Sequence, residues 1–206
     1  IQNGTETGID CGGICTACLD STPPAPDPTI ADTSAITIYS DSGTLEGTAV
    51  TVDTFRTGWS GADLTEVSLS GNNTLKYTNL GFVGIEATSN PIDASNMNRF
   101  HLDVYTPTAT TFAVKLVDFG ANNSYGGGDD ANSIEYQLTP QPTQNGWKSY
   151  FIPLSSFTGL TTRANLSQML FVGSGTTFYV DNVYFSTSST MPVVFTNFNA
   201  IKNGNL

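Results

Sequence analysis

The sequence predicts an all-β fold, an antiparallel β-sandwich of the jelly-roll type, and three observations carry that prediction. Short β-rich runs recur between turn signals, at 35–40, 50–55, 64–70, 74–78, 82–87, 99–105, 111–118, 133–138, 147–153, 168–172 and 177–185. Within them the side chains alternate. Phe100, Leu102 and Val104 point one way and His101, Asp103 and Tyr105 the other, and Phe112, Val114 and Leu116 repeat the first pattern. The one stretch with helical character, 160–166, is too short to carry a crossover between parallel strands, so neighbouring strands run antiparallel. Two half-apolar sheets packed on their apolar faces make a sandwich, and a broad sheet can then offer its polar face to a ligand.

Taken in order, residues 1–20 form a cysteine-rich motif with the chain's three cysteines, Cys11, Cys15 and Cys18. A structural zinc site needs four ligands and no histidine lies near, so a disulfide knot fits better, its odd partner lying upstream in a longer exported protein. Residues 21–34 are a semi-rigid linker in which Pro23, Pro24, Pro26 and Pro28 exclude helix and ladder. Residues 35–186 are the sandwich, and 187–206 a second linker followed by the truncated start of a further domain. Trp147 opens the run 147–154 as a core anchor, whereas His101 falls on the wet face of its strand.

Charge removes several function classes. Seven Lys and Arg against 18 Asp and Glu give a net charge of −11, and charged residues make up 12% of the 206. Nucleic-acid binding needs a basic stripe that this chain does not possess. No apolar run reaches the roughly 18 residues of a membrane span. A glycosidase needs two carboxylates on one groove. Here only five acids are Glu, most Asp residues sit in Gly/Asn-rich loops, and no pair forms a compact strand motif. With His101 the sole histidine, a nucleophilic triad has no base beside a nucleophile. The expectation is a protein that is not an enzyme.

Two acidic groups have the oxygen-rich character that calcium prefers. In the first, Ser40 and Asp41 end the first sandwich strand and Asp181 lies in the last; first and last strands commonly lie side by side, so a structural calcium would staple the domain's ends. A weaker second cluster is the loop from Asp118 to Asp130, where adjacent Asp129 and Asp130 repel unless something neutralises them. It lacks the spacing of an EF-hand.

Aromatic placement points to sugar, whose C–H faces stack on rings while its hydroxyls pair with carboxylates and amides. Trp59 lies in a glycine-flanked loop that demands no buried indole, and Tyr125 sits within the Gly/Asp loop. Tyr77 and Phe82 flank the turn 78–81; Phe82 falls on the polar side of its strand, while Tyr77 shares the parity of Leu75. These four, Trp59, Phe82, Tyr77 and Tyr125, are the candidate glycan contacts.

At these residues the chain resembles known families. The segment Asn3 to Gly13, with Cys15 and Cys18, is similar to a short cysteine motif of secreted proteins of marine Bacteroidetes. The sandwich resembles the carbohydrate-binding modules of flavobacterial glycoside hydrolases and surface glycan-binding proteins. The likeness runs from Ile38-Tyr39-Ser40-Asp41 through Asp118-Phe119-Gly120, Gly126 to Asp130 and Ile152 to Phe157 to Val180-Asp181-Asn182-Val183-Tyr184-Phe185. The tail from Met191 to Phe198 is similar to the start of domains that precede secretion signals in that phylum. The resemblance implies a non-catalytic, monomeric module of a secreted or cell-surface protein. It would hold a polysaccharide, with laminarin, a β-1,3-glucan, the leading ligand, and would carry a structural calcium near Asp41 and Asp181. A structural or adhesive spacer is the alternative, and a glycoside hydrolase the weakest reading.

Overall fold

The computed structural model describes residues 22–28, 33–42, 45, 47–108 and 110–188. The cysteine motif and the tail domain therefore lie outside the described residues. Ten strands form: β1 (Ala35–Tyr39), β2 (Gly47–Ala49), β3 (Gly61–Leu69), β4 (Asn72–Glu86), β5 (Arg99–Thr106), β6 (Ala113–Asp118), β7 (Ala131–Asn132), β8 (Tyr136–Gln137), β9 (Gly146–Pro153) and β10 (Leu166–Ser186). The helical character read at 160–166 gives no helix, and the helical turn that does form is a 3-10 turn at Leu154–Ser156.

Two strands are long because each serves both layers. In the front layer, the first half of β10 pairs with the end of β4 (Gln168 opposite Glu86, Val172 opposite Phe82) and, on its other edge, with β6. The register breaks between Val172 and Thr176. Beyond the break, in the back layer, β10 pairs with the beginning of β4 (Val180 opposite Leu75), with β1 and with β5, which in turn pairs with β9. The runs read separately at 74–78 and 82–87 are thus one strand, as are those at 168–172 and 177–185. The run at 50–55 is a loop, and the short β2 before it pairs with β1 in parallel, against the antiparallel expectation. The hairpin joining β3 to β4 turns on Ser70 and Gly71, both with positive φ, as a right-handed strand twist requires of a tight turn.

The alternation read from the sequence fills the space between the layers. Tyr77 from the back layer meets Phe171 from the front at 6.2 Å, and Phe112 lies 5.5 Å from Phe171 and 5.0 Å from Phe178. All four rings are fully buried.

On β5 the expected wet face is absent. His101, Asp103 and Tyr105 are as buried as the core side of the strand. His101 is 1% exposed, stacked on Tyr184 at 4.2 Å and met edge-on by Phe151 at 4.8 Å, with Nε2 2.5 Å from Ser186 Oγ. Trp147 is likewise displaced from its expected place. It packs on the outer face, 5.7 Å from Tyr105, beside Leu69, Val67 and Tyr179. A second aromatic layer covers the outside of β5, so parity distinguishes two packed sides there.

A bulge explains the last strand. Phe178 and Val180 face the core, and so do Val183 and Phe185, although the two pairs have opposite parity. The register shift between Asp181 and Tyr184, with Asn182 at φ 50°, inserts the extra residue that resets the alternation. Asp181 and Asn182 are therefore turned away from the apolar core, although both are buried.

Candidate functional site

The outer face of the front layer carries the most exposed rings of the strands and of the loop beside them. Residues 53–60 run along the free edge of β4. Thr57 N donates to Gly84 O at 3.0 Å, Gly84 N donates to Ser60 Oγ at 3.0 Å, and Asp53 N donates to Glu86 O at 2.7 Å. This edge pairing brings the benzo edge of the Trp59 indole onto Gly84, where a Cβ would overlap the ring. Trp59 is 47% exposed and Phe82 41%; their rings lie 6.1 Å apart and within 19° of parallel.

Register extends this platform across the sheet, because directly opposed residues share a face. Phe82 is followed by Val172 and Ala113, Gly84 by Leu170 and Lys115, and Glu86 by Gln168 and Val117. Gln168 Nε2 donates to Glu86 Oε1 at 2.9 Å, holding an amide and a carboxylate side by side at one end of the rings. Apolar ring faces beside an amide, a carboxylate and an ammonium group have the chemistry that a sugar's C–H face and hydroxyls need. Sequence reasoning found the two rings and missed Glu86, Gln168 and Lys115, which become neighbours only once β10 is inserted between β4 and β6.

The other two aromatic candidates separate. Tyr77 is a correction: it is fully buried, its hydroxyl donates to Phe55 O at 2.9 Å, and its ring has no open face to offer a sugar. Its shared parity with Leu75 is the signal that places it inside. Tyr125 is 64% exposed, 5.6 Å from Phe119, on the loop between β6 and β7. That loop is tied beyond the Glu86 end of the platform, because Asn123 Nδ2 donates to Thr88 O at 2.7 Å and Ser167 Oγ donates to Asn123 Oδ1 at 2.8 Å.

The acids of this loop act as turn anchors. Asp118 accepts from Gly120 N and Asn165 N at 2.8 and 2.9 Å, Asp129 from Ala121 N at 2.9 Å and Asn122 Nδ2 at 2.5 Å, and Asp130 from Gly126 N at 2.7 Å. Backbone and amide donors offset the mutual repulsion inferred for Asp129 and Asp130.

The first acidic group gathers on the back layer. Asp181 is fully buried and accepts from Asn182 N at 2.7 Å, from Thr74 Oγ1 at 3.4 Å and from the Asn72 amide at 2.7 Å. Ser40 Oγ donates to Asn182 Oδ1 at 2.7 Å, and Asp41 accepts from Asn73 N at 2.8 Å. Opposite Asp181 on β5 stands Asp103, which accepts from Asn182 Nδ2 at 2.7 Å. Burial pushes both carboxyls up, Asp181 to about 7, with Asp103 and Asp41 adding repulsion, and Asp103 to about 6. Among the described residues no three His, Cys, Asp or Glu side chains gather as a metal cluster. The oxygens around Asp41 and Asp181 come from those two carboxylates and from neighbouring amides and hydroxyls, a hard-donor set of the type calcium takes.

Comparison with known proteins finds this fold among carbohydrate-binding modules. A family 11 carbohydrate-binding module from Clostridium thermocellum, solved in complex with a β-1,3-1,4-mixed-linked tetrasaccharide, superposes with a TM-score of 0.51 at 16% identity, covering 75% of this chain and 96% of that one. A family 30 carbohydrate binding module aligns with a TM-score of 0.46 at 14% identity, over 81% of this chain and 91% of that one. No curated protein sequence matches the chain. The family described as carbohydrate binding domain 30 matches residues 27–187, from the end of the proline-rich segment to the end of β10, and the chain belongs to that family.

Proposed function

We propose that this domain holds a β-glucan chain on the Trp59–Phe82 platform, within a secreted or cell-surface protein whose other domains act on or import the same polysaccharide. The observation that carries the proposal is the pair of exposed, nearly parallel rings beside Glu86, Gln168 and Lys115. Exposure of Trp59 and Tyr125 weighs against a mere spacer, which has no use for open rings. Laminarin is the leading ligand, and the mixed-linked tetrasaccharide bound by the family 11 module of similar fold supports a glucan containing β-1,3 linkages. Tyr125 extends the same site from the far end. The domain binds without catalysis and works as a monomer.

A structural calcium belongs to this reading. Ser40, Asp41 and Asp181 would hold it, with Thr74 as a neutral oxygen donor, and it would offset the charge of a carboxylate whose present partners are all uncharged donors. The ion would sit on the back layer, away from the sugar.

Titration calorimetry against laminarin, mixed-linkage glucan, mannan and agar, in calcium and then in chelator, tests both parts. Laminarin binding that survives the chelator supports the glucan reading with a scaffold ion. Binding to mannan or agar alone would replace the ligand class, and no binding at all would favour the spacer.

A further inference from the structure

The proline-rich segment 22–28 lies against the outer face of the back layer, and its contacts have a period of three. Thr22 is half-buried, Ala25 and Pro28 are buried, and Pro23, Pro24, Pro26 and Asp27 between them are exposed. Two of its carbonyls bond to side chains of the sheet, and these are also three apart. Trp147 Nε1 donates to Pro23 O at 2.6 Å and Asn182 Nδ2 donates to Pro26 O at 3.0 Å. Three residues per turn, with carbonyls free to bond outward, is the geometry of a polyproline II helix. Beneath it, Trp147, Phe151, His101 and Tyr184 join Pro26 and Pro28 around a cavity of about 540 Å³. An aromatic-lined groove holding a preformed proline helix is a recurring way of recognising peptides, because little conformational entropy remains to be lost.

We propose that the outer face of β5, β9 and the end of β10 is a recognition groove for a proline-helix peptide, and that its resident occupant is this chain's own residues 22–28. The family match begins at residue 27, so most of this strap precedes the matched span. The groove and the Trp59–Phe82 platform lie on opposite outer faces of the sandwich. Docking of the strap therefore delivers whatever precedes Thr22 to the side away from the sugar and leaves the platform clear.

Hydrogen-exchange NMR on the indole N–H of Trp147 in the full 206-residue chain tests this, with the exposed indole of Trp59 as internal reference. Trp147 should exchange about fivefold or more slowly than Trp59, the ratio that one net hydrogen bond of about 1 kcal/mol supports. Ala25→Asp places a charge on the buried side of the strap and should erase the difference. Pro24→Asp places the same charge on the exposed side and should leave it. Proteolysis supplies a second readout: cleavage within 22–28 should accelerate for Ala25→Asp and Trp147→Phe but not for Pro24→Asp. Equal exchange of the two indoles in the wild type, or equal responses at 24 and 25, would overturn the proposal. A wild-type dimer that Ala25→Asp dissolves would assign the segment to a second copy and refute docking within one chain.

Discussion

Replacing Trp59 by alanine isolates the largest contact of the proposed platform. The indole is 47% exposed, and taking an upper side-chain area of about 250 Å² leaves roughly 120 Å² for a ligand. A sugar ring lying on one face covers about half of that, and 60 Å² at about 25 cal/mol per Å² is worth roughly 1.5 kcal/mol. Trp59→Ala should therefore weaken laminarin binding by about tenfold. The same working for Phe82, 41% exposed on a ring of about 200 Å², gives about 1 kcal/mol, or fivefold. Because the rings touch, the double variant should fall short of the product of the two effects. Affinity electrophoresis, with titration calorimetry for the constants, measures all three. A wild type that binds while Trp59→Ala stays within twofold of it would refute the placement of the sugar on this face. Loss of binding from a variant with a lowered melting temperature would not count, and thermal unfolding makes that distinction.

Gly84→Ala should mimic the loss of Trp59 with both rings still present, because the added Cβ pushes the indole off the strand; an unchanged affinity for laminarin would show that this close seat is dispensable. Tyr77→Phe removes the hydroxyl that bonds Phe55 O and should cost about 1 kcal/mol in urea unfolding while leaving glucan affinity within about twofold, as befits a core residue. In chelator, stability should fall as pH rises from about 4 to 8. Unfolded carboxyls release their protons near pH 4, whereas Asp103 and Asp181 keep theirs to about 6 and 7, so the folded state binds more protons across that window and each rise in pH disfavours it. Calcium should raise the melting temperature at pH 8 and have little effect at pH 4.5, and a shift that Asp181→Asn does not diminish would remove the ion from this corner.

Much of the fold was legible in the chain. Alternation in β4, β5 and β6 identified the core side correctly, and the glycines around Trp59 marked a ring that the fold leaves open. The failures share a cause, which is that parity speaks of one sheet surface and not of what lies on it. Parity puts His101 on a wet face because nothing local reveals that Tyr184, Phe151 and the proline strap cover it. The run that Trp147 opens points to the core for the converse reason. The bulge at Asn182 has no local signature in the sequence beyond an Asp-Asn pair, yet it decides which way Asp181 points. Glu86 and Gln168 stand 82 positions apart, and only the pairing of β4 with β10 brings them into contact.

The sharing of β4 and β10 between the two layers bears on tension. A domain that grips a polymer is pulled between its ligand and the chain that tethers it. With the sugar held as proposed, force entering at Trp59 and Phe82 would reach β4, whose far half is bonded into the opposite layer, and force applied beyond Ser186 would run along the axis of β10. Hydrogen bonds to β1 and β5 flank that last stretch on both edges, so axial traction must shear both ladders together instead of opening one pair at a time. The architecture is suited to holding on while being dragged.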